Sequence, residues 1–264
     1  MIIMQNITVR IIVLLAFIAM VTANVLANAL PINNITTGQV SDSYPDLFAP
    51  AGITFSIWGV IYLLLFGYAL YQLGVIGRIS KNKKTMDIIA VFFVVSSIAN
   101  ILWILSWHYD IILASLFFML VILYSLIRIA LLLSTGKNDG MEYYFLELPF
   151  MVYFGWITIA TIANVTAYLV SIGWDGFGIS EQVWTVIVLI VGATIGLTTM
   201  FRIRSIAYGM VLIWAYTGIV LKHASEAGFG GEYPLIIITA SLSIIIFIIA
   251  VFVQYNRSIP NNPV

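Results

Sequence analysis

The sequence predicts an all-α, polytopic transmembrane helix bundle of about eight helices. Of its 264 residues 62% are hydrophobic and only 8% are charged, and the mean hydropathy is +1.09. A soluble fold has nowhere to bury that much apolar surface. About 20 apolar residues suffice to cross the hydrocarbon core as a helix, and such runs fall near 11–30, 52–75, 87–107, 111–133, 146–171, 183–200, 205–222 and 234–254.

The first run follows Arg10 and ends near Ala27-Asn28-Ala29, which imitates a signal peptide and its cleavage site. Its length, and Asn24 and Asn28 at i, i+4, favour a retained helix packed in a bundle. The second run is entered through a polar loop in which Pro45 and Pro50 restrict the backbone on either side of Phe48. Phe55, Trp58 and Tyr62 then stand at i, i+3, i+7 on one helical face. In the third run Asn100, Trp103 and Trp107 repeat that spacing, and in the fifth Tyr153, Trp156 and Ala160 do so with Asn164 one turn on. The fourth run is interrupted only by Arg128 near one end. The last three carry Trp184, Trp214 and Gly192-x-x-x-Gly196, with Trp174 just before them, but no single clean aromatic face.

An amide in hydrocarbon needs partners. Asn100 and Asn164 are therefore either glue between helices or polar contacts in a ligand pocket. Charge sets the orientation: Arg10, Arg78, Lys81, Lys83, Lys84, Arg128, Lys137, Arg202, Arg204 and Arg257 share one side if eight spans alternate, and only Lys222 falls on the other. The basic side is cytoplasmic by the positive-inside rule, which puts both termini there and the Pro45–Pro50 loop outside. The expected location is the plasma membrane of a prokaryote, as an integral multi-pass protein.

Several functions are disfavoured. The chain has no cysteine, which removes disulfides and thiolate chemistry. It has a formal net charge of zero and no long basic tract, so nucleic acid is not an expected partner. The spans hold almost no ionisable group, which argues against a proton relay. His108 and His223 lie near helix ends without partners at metal-ligand spacing, and no metal site is expected.

The segment PDLFAPAGITFSIWGVIYLLL (45–65) resembles the loop-to-second-helix signature of the tryptophan-rich sensory protein/translocator protein family (TspO/MBR, peripheral benzodiazepine receptor). SSIANILWILSW (96–107) and LPFMVYFGWITIATIANVTAYLV (148–170) are similar to that family's third- and fifth-helix motifs, in the same order. The loop departs from the pattern: Phe48 stands where the family has tryptophan, one residue is added after Pro45, and no lysine precedes it. The resemblance implies a five-helix TspO/MBR-like core over 1–171, with an additional three-helix portion over 172–264.

It also implies a membrane sensor or binding protein for a small hydrophobic, planar ligand, porphyrin- or haem-like or sterol-like, in a pocket under the first outer loop. Carried over by position, the ligand-binding candidates are Phe48, Pro50, Phe55, Trp58, Tyr62, Asn100, Trp103, Trp156, Ala160 and Asn164. No cofactor is required, porphyrin or haem entering as ligand. The partners are the lipid bilayer and that ligand, with a homodimer as a further option. No nucleophile–base pair or carboxylate pair appears in the spans, so binding is expected and no catalytic residue is assigned. The alternative is a small-molecule transporter using all eight helices.

Overall fold

Backbone groups cannot stay unpaired in hydrocarbon, so each apolar run closes its hydrogen bonds internally as a helix. The computed structural model describes residues 6–30, 32–77, 82–135 and 140–258. It contains α1 (Ile7–Ala29), α2 (Thr37–Asp42), α3 (Ile57–Leu73), α4 (Lys83–His108), α5 (Ile112–Leu133), α6 (Leu148–Ser171), α7 (Glu181–Ile203), α8 (Ile206–Ala224) and α9 (Pro234–Ser258), with no strand among the described residues. All but α2 are long and apolar enough to cross a membrane, α3 together with the 3-10 helix Gly52–Ser56 that leads into it. The protein is thus an integral, multi-pass helical bundle. Arg78, Lys81 and Lys137 lie outside the described residues.

Local chemistry sets the ends. Asn6 and Asn82 cap α1 and α4 by accepting the N–H of Thr8 (3.1 Å) and Lys84 (2.7 Å). Ser205 does the same for α8 through Tyr208 N–H at 3.2 Å, and Gly74, at φ +79°, ends α3 in the left-handed conformation that glycine tolerates. Several helices run a few residues past the apolar runs, because Lys83 or Arg257 can extend a helix into the head-group region. The short α2 is not foreseen by hydropathy. Its signal is Thr36-x-x-Gln39, a capping box in which each side chain bonds the other's backbone N–H.

The first five spans close a ring in which α1 packs on α3, α3 on α6, α6 on α5, α5 on α4, and α4 on α1. The last three join through α6, the most buried span, whose second side packs on α8; α9 then covers α8 and α7. At the α6–α8 contact a Cβ on Gly155 would stand 2.9 Å from Val211 Cβ, so the absence of a side chain permits the approach. Tyr208 donates to Thr158 Oγ1 at 3.0 Å and sets its ring 5.0 Å from Phe154. Gly192 and Gly196 are engaged within the molecule, facing Tyr216 and Leu212 of α8. The outer flank of α9, including Leu242, Ile249 and Phe252, is exposed and apolar, as a lipid-facing surface must be.

The connection from α1 to α3 is fastened in two halves. Its first half, α2, is tied to the end of α4: Trp107 Nε1 donates to Thr37 O (3.2 Å), and His108 Nε2 meets Thr37 Oγ1 (3.1 Å). Its second half, residues 45–54, is tied to the last three spans. Leu47 donates its N–H to Glu181 Oε1 (3.1 Å) and accepts from His223 Nε2 (2.8 Å). Ala51 N–H donates to Gly218 O, and Trp214 Nε1 to Thr54 O, both at 3.0 Å.

Gly218 makes that seam possible, since a Cβ there would collide with the buried Thr54 side chain. Gly218→Ala should cost about 1–3 kcal/mol by overpacking, read as a lowered thermal midpoint in detergent. Thr54→Ala, whose hydroxyl has no partner among the described residues, should restore part of the loss when combined with it. An unshifted midpoint in Gly218→Ala would show that the seam is looser than described.

Candidate functional site

At the end of the bundle that holds α2, a cavity of about 510 Å³ lies between α1, α2 and the start of α3. Trp58 and Tyr62 line it from α3, Phe55 from the 3-10 helix Gly52–Ser56 that leads into α3, Asn24 and Asn28 from α1, and Thr37 and Gly38 from α2. The expected single helical face of Phe55, Trp58 and Tyr62 is thus split, since Phe55 lies in the tighter 3-10 turn before α3, yet all three form one wall and the amide stripe of α1 lines the cavity with them. A volume of this size lies in the range of small-molecule pockets, about 300–1,000 Å³.

Trp58 stands at the centre of the aromatic stripes. Its ring stacks on Tyr62 at 5.5 Å and Trp103 at 6.0 Å, and meets Tyr153 and Trp156 edge-on at 5.9 and 6.4 Å. Phe55 approaches Trp156 edge-on at 5.8 Å, and Trp103 stacks on Trp107 at 6.3 Å. These offset and edge geometries are favoured by the ring quadrupole. The indole nitrogens of Trp103 and Trp156 are buried and have no hydrogen-bond partner among the described residues.

The amides divide. Asn100 is fully buried, accepting from Asn24 Nδ2 at 2.6 Å and donating to Tyr153 OH at 3.2 Å. It joins three helices behind the cavity wall. Asn24 also donates to Met20 O (2.9 Å), and Asn28 bridges Asn24 O and Thr37 N–H. Asn164 lies elsewhere, paired with Ser115 Oγ of α5 at 3.0 Å.

Phe55, Trp58, Tyr62, Trp103, Trp156 and Asn100 thus come together, the first three on the cavity itself. Ala160 packs, partly buried, against the core. Phe48 and Pro50 are buried and do not line this cavity, because the bonds of Leu47 and Ala51 hold their loop against α7 and α8. Thr37, Gly38, Gly59 and four residues of α1 (Asn24, Val25, Asn28 and Ala29) also line the cavity and are not among the candidates carried over by position. The capping box at Thr36 marks the first two in the sequence, and the amide spacing marks Asn24 and Asn28.

The model of the TSPO-like protein family matches residues 10–253. The chain belongs to this family. In this TSPO-like protein the match runs past residue 171 through α7 and α8 and into α9, so it includes the spans that clamp the loop as well as the ring that forms the cavity. No curated protein and no solved structure matches it.

A second cavity, of about 470 Å³, opens at the same end of the bundle between residues 45–48, the end of α6 and the start of α7; it includes Phe48. Asp46 lines it, and burial pushes its carboxyl up to about 6, against the pull of hydrogen bonds from Phe48 and Ala49 N–H; nearby Glu181 raises it further. Both N–H groups reach Asp46 Oδ1 at 2.8 Å.

An acid whose pKa is raised by folding holds its proton more tightly in the folded state. Its stabilising contribution is complete below 3.8 and is lost as pH rises through about 6. Asp46→Asn keeps the Oδ1 acceptor and removes the ionisation. Its thermal midpoint should gain on that of the wild type between about pH 4 and about pH 7; parallel midpoints across that range would contradict the assigned burial of Asp46.

Proposed function

We propose that this TSPO-like membrane protein binds a small, hydrophobic, planar ligand of the porphyrin or sterol type in the cavity between α1, α2 and α3. The observation that carries the reading is that Phe55, Trp58 and Tyr62 form one wall of a cavity that Asn24 and Asn28 also line. Stacked rings suit a flat apolar ligand, and the amides of Asn24 and Asn28 supply the few polar contacts that orient it. The ring of five spans (1–171) forms the binding unit, and the last three (172–264) brace its α1–α3 connection.

The decisive variant is Gly59→Leu. Gly59 lines the cavity and a Cβ there meets nothing within 4 Å, so leucine fills the space without disturbing the helix. Protoporphyrin binding, followed by tryptophan quenching in purified protein, should weaken about tenfold or more. Trp58→Ala should weaken it as well, through loss of the stacking surface. Unchanged affinity in both would overturn the site.

A second reading, transport, draws on the other cavity, which lies at the seam between α6 and α7. Protoporphyrin accumulation in proteoliposomes separates the readings: movement supports transport, and saturable binding without movement supports a sensor.

The orientation proposed is α2 outside and both termini in the cytoplasm of a prokaryotic cell. Arg10, Lys83, Lys84, Arg128, Arg202, Arg204 and Arg257 gather at the end opposite α2, whereas Lys222 lies at the α2 end, 3.2 Å from Asp42; this is the asymmetry of the positive-inside rule. Because the chain has no cysteine, single introduced thiols can be read without background. In intact cells Ser43→Cys should react with a membrane-impermeant maleimide and Thr135→Cys should not. The reverse pattern would invert the topology.

A further inference from the structure

The cavity between the 45–48 loop and α7 has a chemistry unlike that of the first. Three carboxylate residues line it, Asp46, Asp175 and Glu181, and no lysine, arginine or histidine does. Trp174 and Trp184 face each other there at 5.1 Å with their planes inclined by 56°. The pair is held in place: Trp184 Nε1 donates to Gly176 O at 2.7 Å, and Gly176, at φ +65°, leaves room for the indole, which a Cβ there would approach to 3.0 Å. The rest of the wall is mostly apolar, including Leu169, Val170 and Val188.

Aromatic faces attract cations through their quadrupole, more strongly where water is excluded. Carboxylates left without a cationic neighbour on the wall add to that attraction. A bare metal ion fits poorly, because no group of three or more metal-ligating side chains converges among the described residues. We propose that this cavity is a binding site for a small organic cation, an ammonium group on an apolar body. The ammonium would lie between the Asp46 and Glu181 carboxylates and the Trp174–Trp184 pair, with its apolar part against α6 and α7. The site is separate from the planar-ligand cavity, which shares none of its lining residues.

The test uses the full-length protein in detergent, with benzyltrimethylammonium as the probe and benzyl alcohol as the neutral control, followed by calorimetry and tryptophan fluorescence. The cation should bind with a Kd of about 1 mM or tighter and at least about tenfold more tightly than the alcohol. Glu181→Gln keeps an oxygen for the Leu47 N–H and removes the charge; Trp174→Ala removes one aromatic wall. Each should weaken the cation by about tenfold and leave the alcohol nearly unchanged. Gly59→Leu should leave cation binding intact, so failure of the planar-ligand site and failure of this one are distinguishable. Equal affinity for cation and alcohol, an unchanged cation affinity in both Glu181→Gln and Trp174→Ala, or no cation binding up to about 10 mM would each overturn the proposal.

Discussion

The architecture depends on how one stretch of backbone outside the α-helices, residues 45–54, is satisfied. It enters the bundle between two spans, where unpaired N–H and C=O groups carry a high cost. The last three spans meet that demand: Glu181 and His223 take both backbone groups of Leu47, Gly218 O takes the N–H of Ala51, and Trp214 reaches Thr54 O. Because these bonds draw the loop towards α7 and α8, Phe48 is buried away from the first cavity. That cavity is lined instead by Thr37 and Gly38 of α2, which is anchored on Trp107 and His108.

The two fastenings give the α2 end two cavities with different walls. One is bounded by the aromatic face of α3 and the amides of α1, the other by carboxylates and a tryptophan pair. They are divided by the same connection, whose halves are bonded to different elements. Trp58 links the first cavity to the bundle interior, since its ring touches Trp103, Tyr153 and Trp156 on α4 and α6. Asn100 stiffens that contact from behind through Asn24 and Tyr153. A buried amide network satisfied in this way fixes the register of three helices, whereas an unsatisfied one would be costly.

The two histidines show how burial assigns roles that composition leaves open. Both ring nitrogens of His108 have protein partners, Thr37 Oγ1 and Ile32 O, and Nε2 of His223 is bound to Leu47 O. Each is a fastener of the α1–α3 connection. The tryptophans divide similarly: Trp107 and Trp214 bond backbone carbonyls of that connection, whereas Trp58 presents its ring to a cavity.

Much of this is legible in the chain itself. The eight spans follow from apolar runs of membrane length, and the shared faces of Trp58 and Tyr62, and of Asn100 and Trp103, follow from the helical repeat, whereas Phe55 stands in the 3-10 turn before α3. The family follows from motifs that keep their order. What each face meets does not follow, because periodicity is a property of one helix and contact is a property of two. Trp214 finds Thr54 across 160 residues and His223 finds Leu47 across 176, and nothing in either local sequence announces the other. Asn100 and Asn164 look alike in sequence, yet one is tied to Asn24 and Tyr153 beside the cavity and the other to Ser115 on α5. Spans, helical faces and family are properties of the chain read residue by residue. Which of those faces border empty space emerges from the packing of the helices, because hydropathy is indifferent to whether an apolar side chain meets lipid, another helix or a cavity.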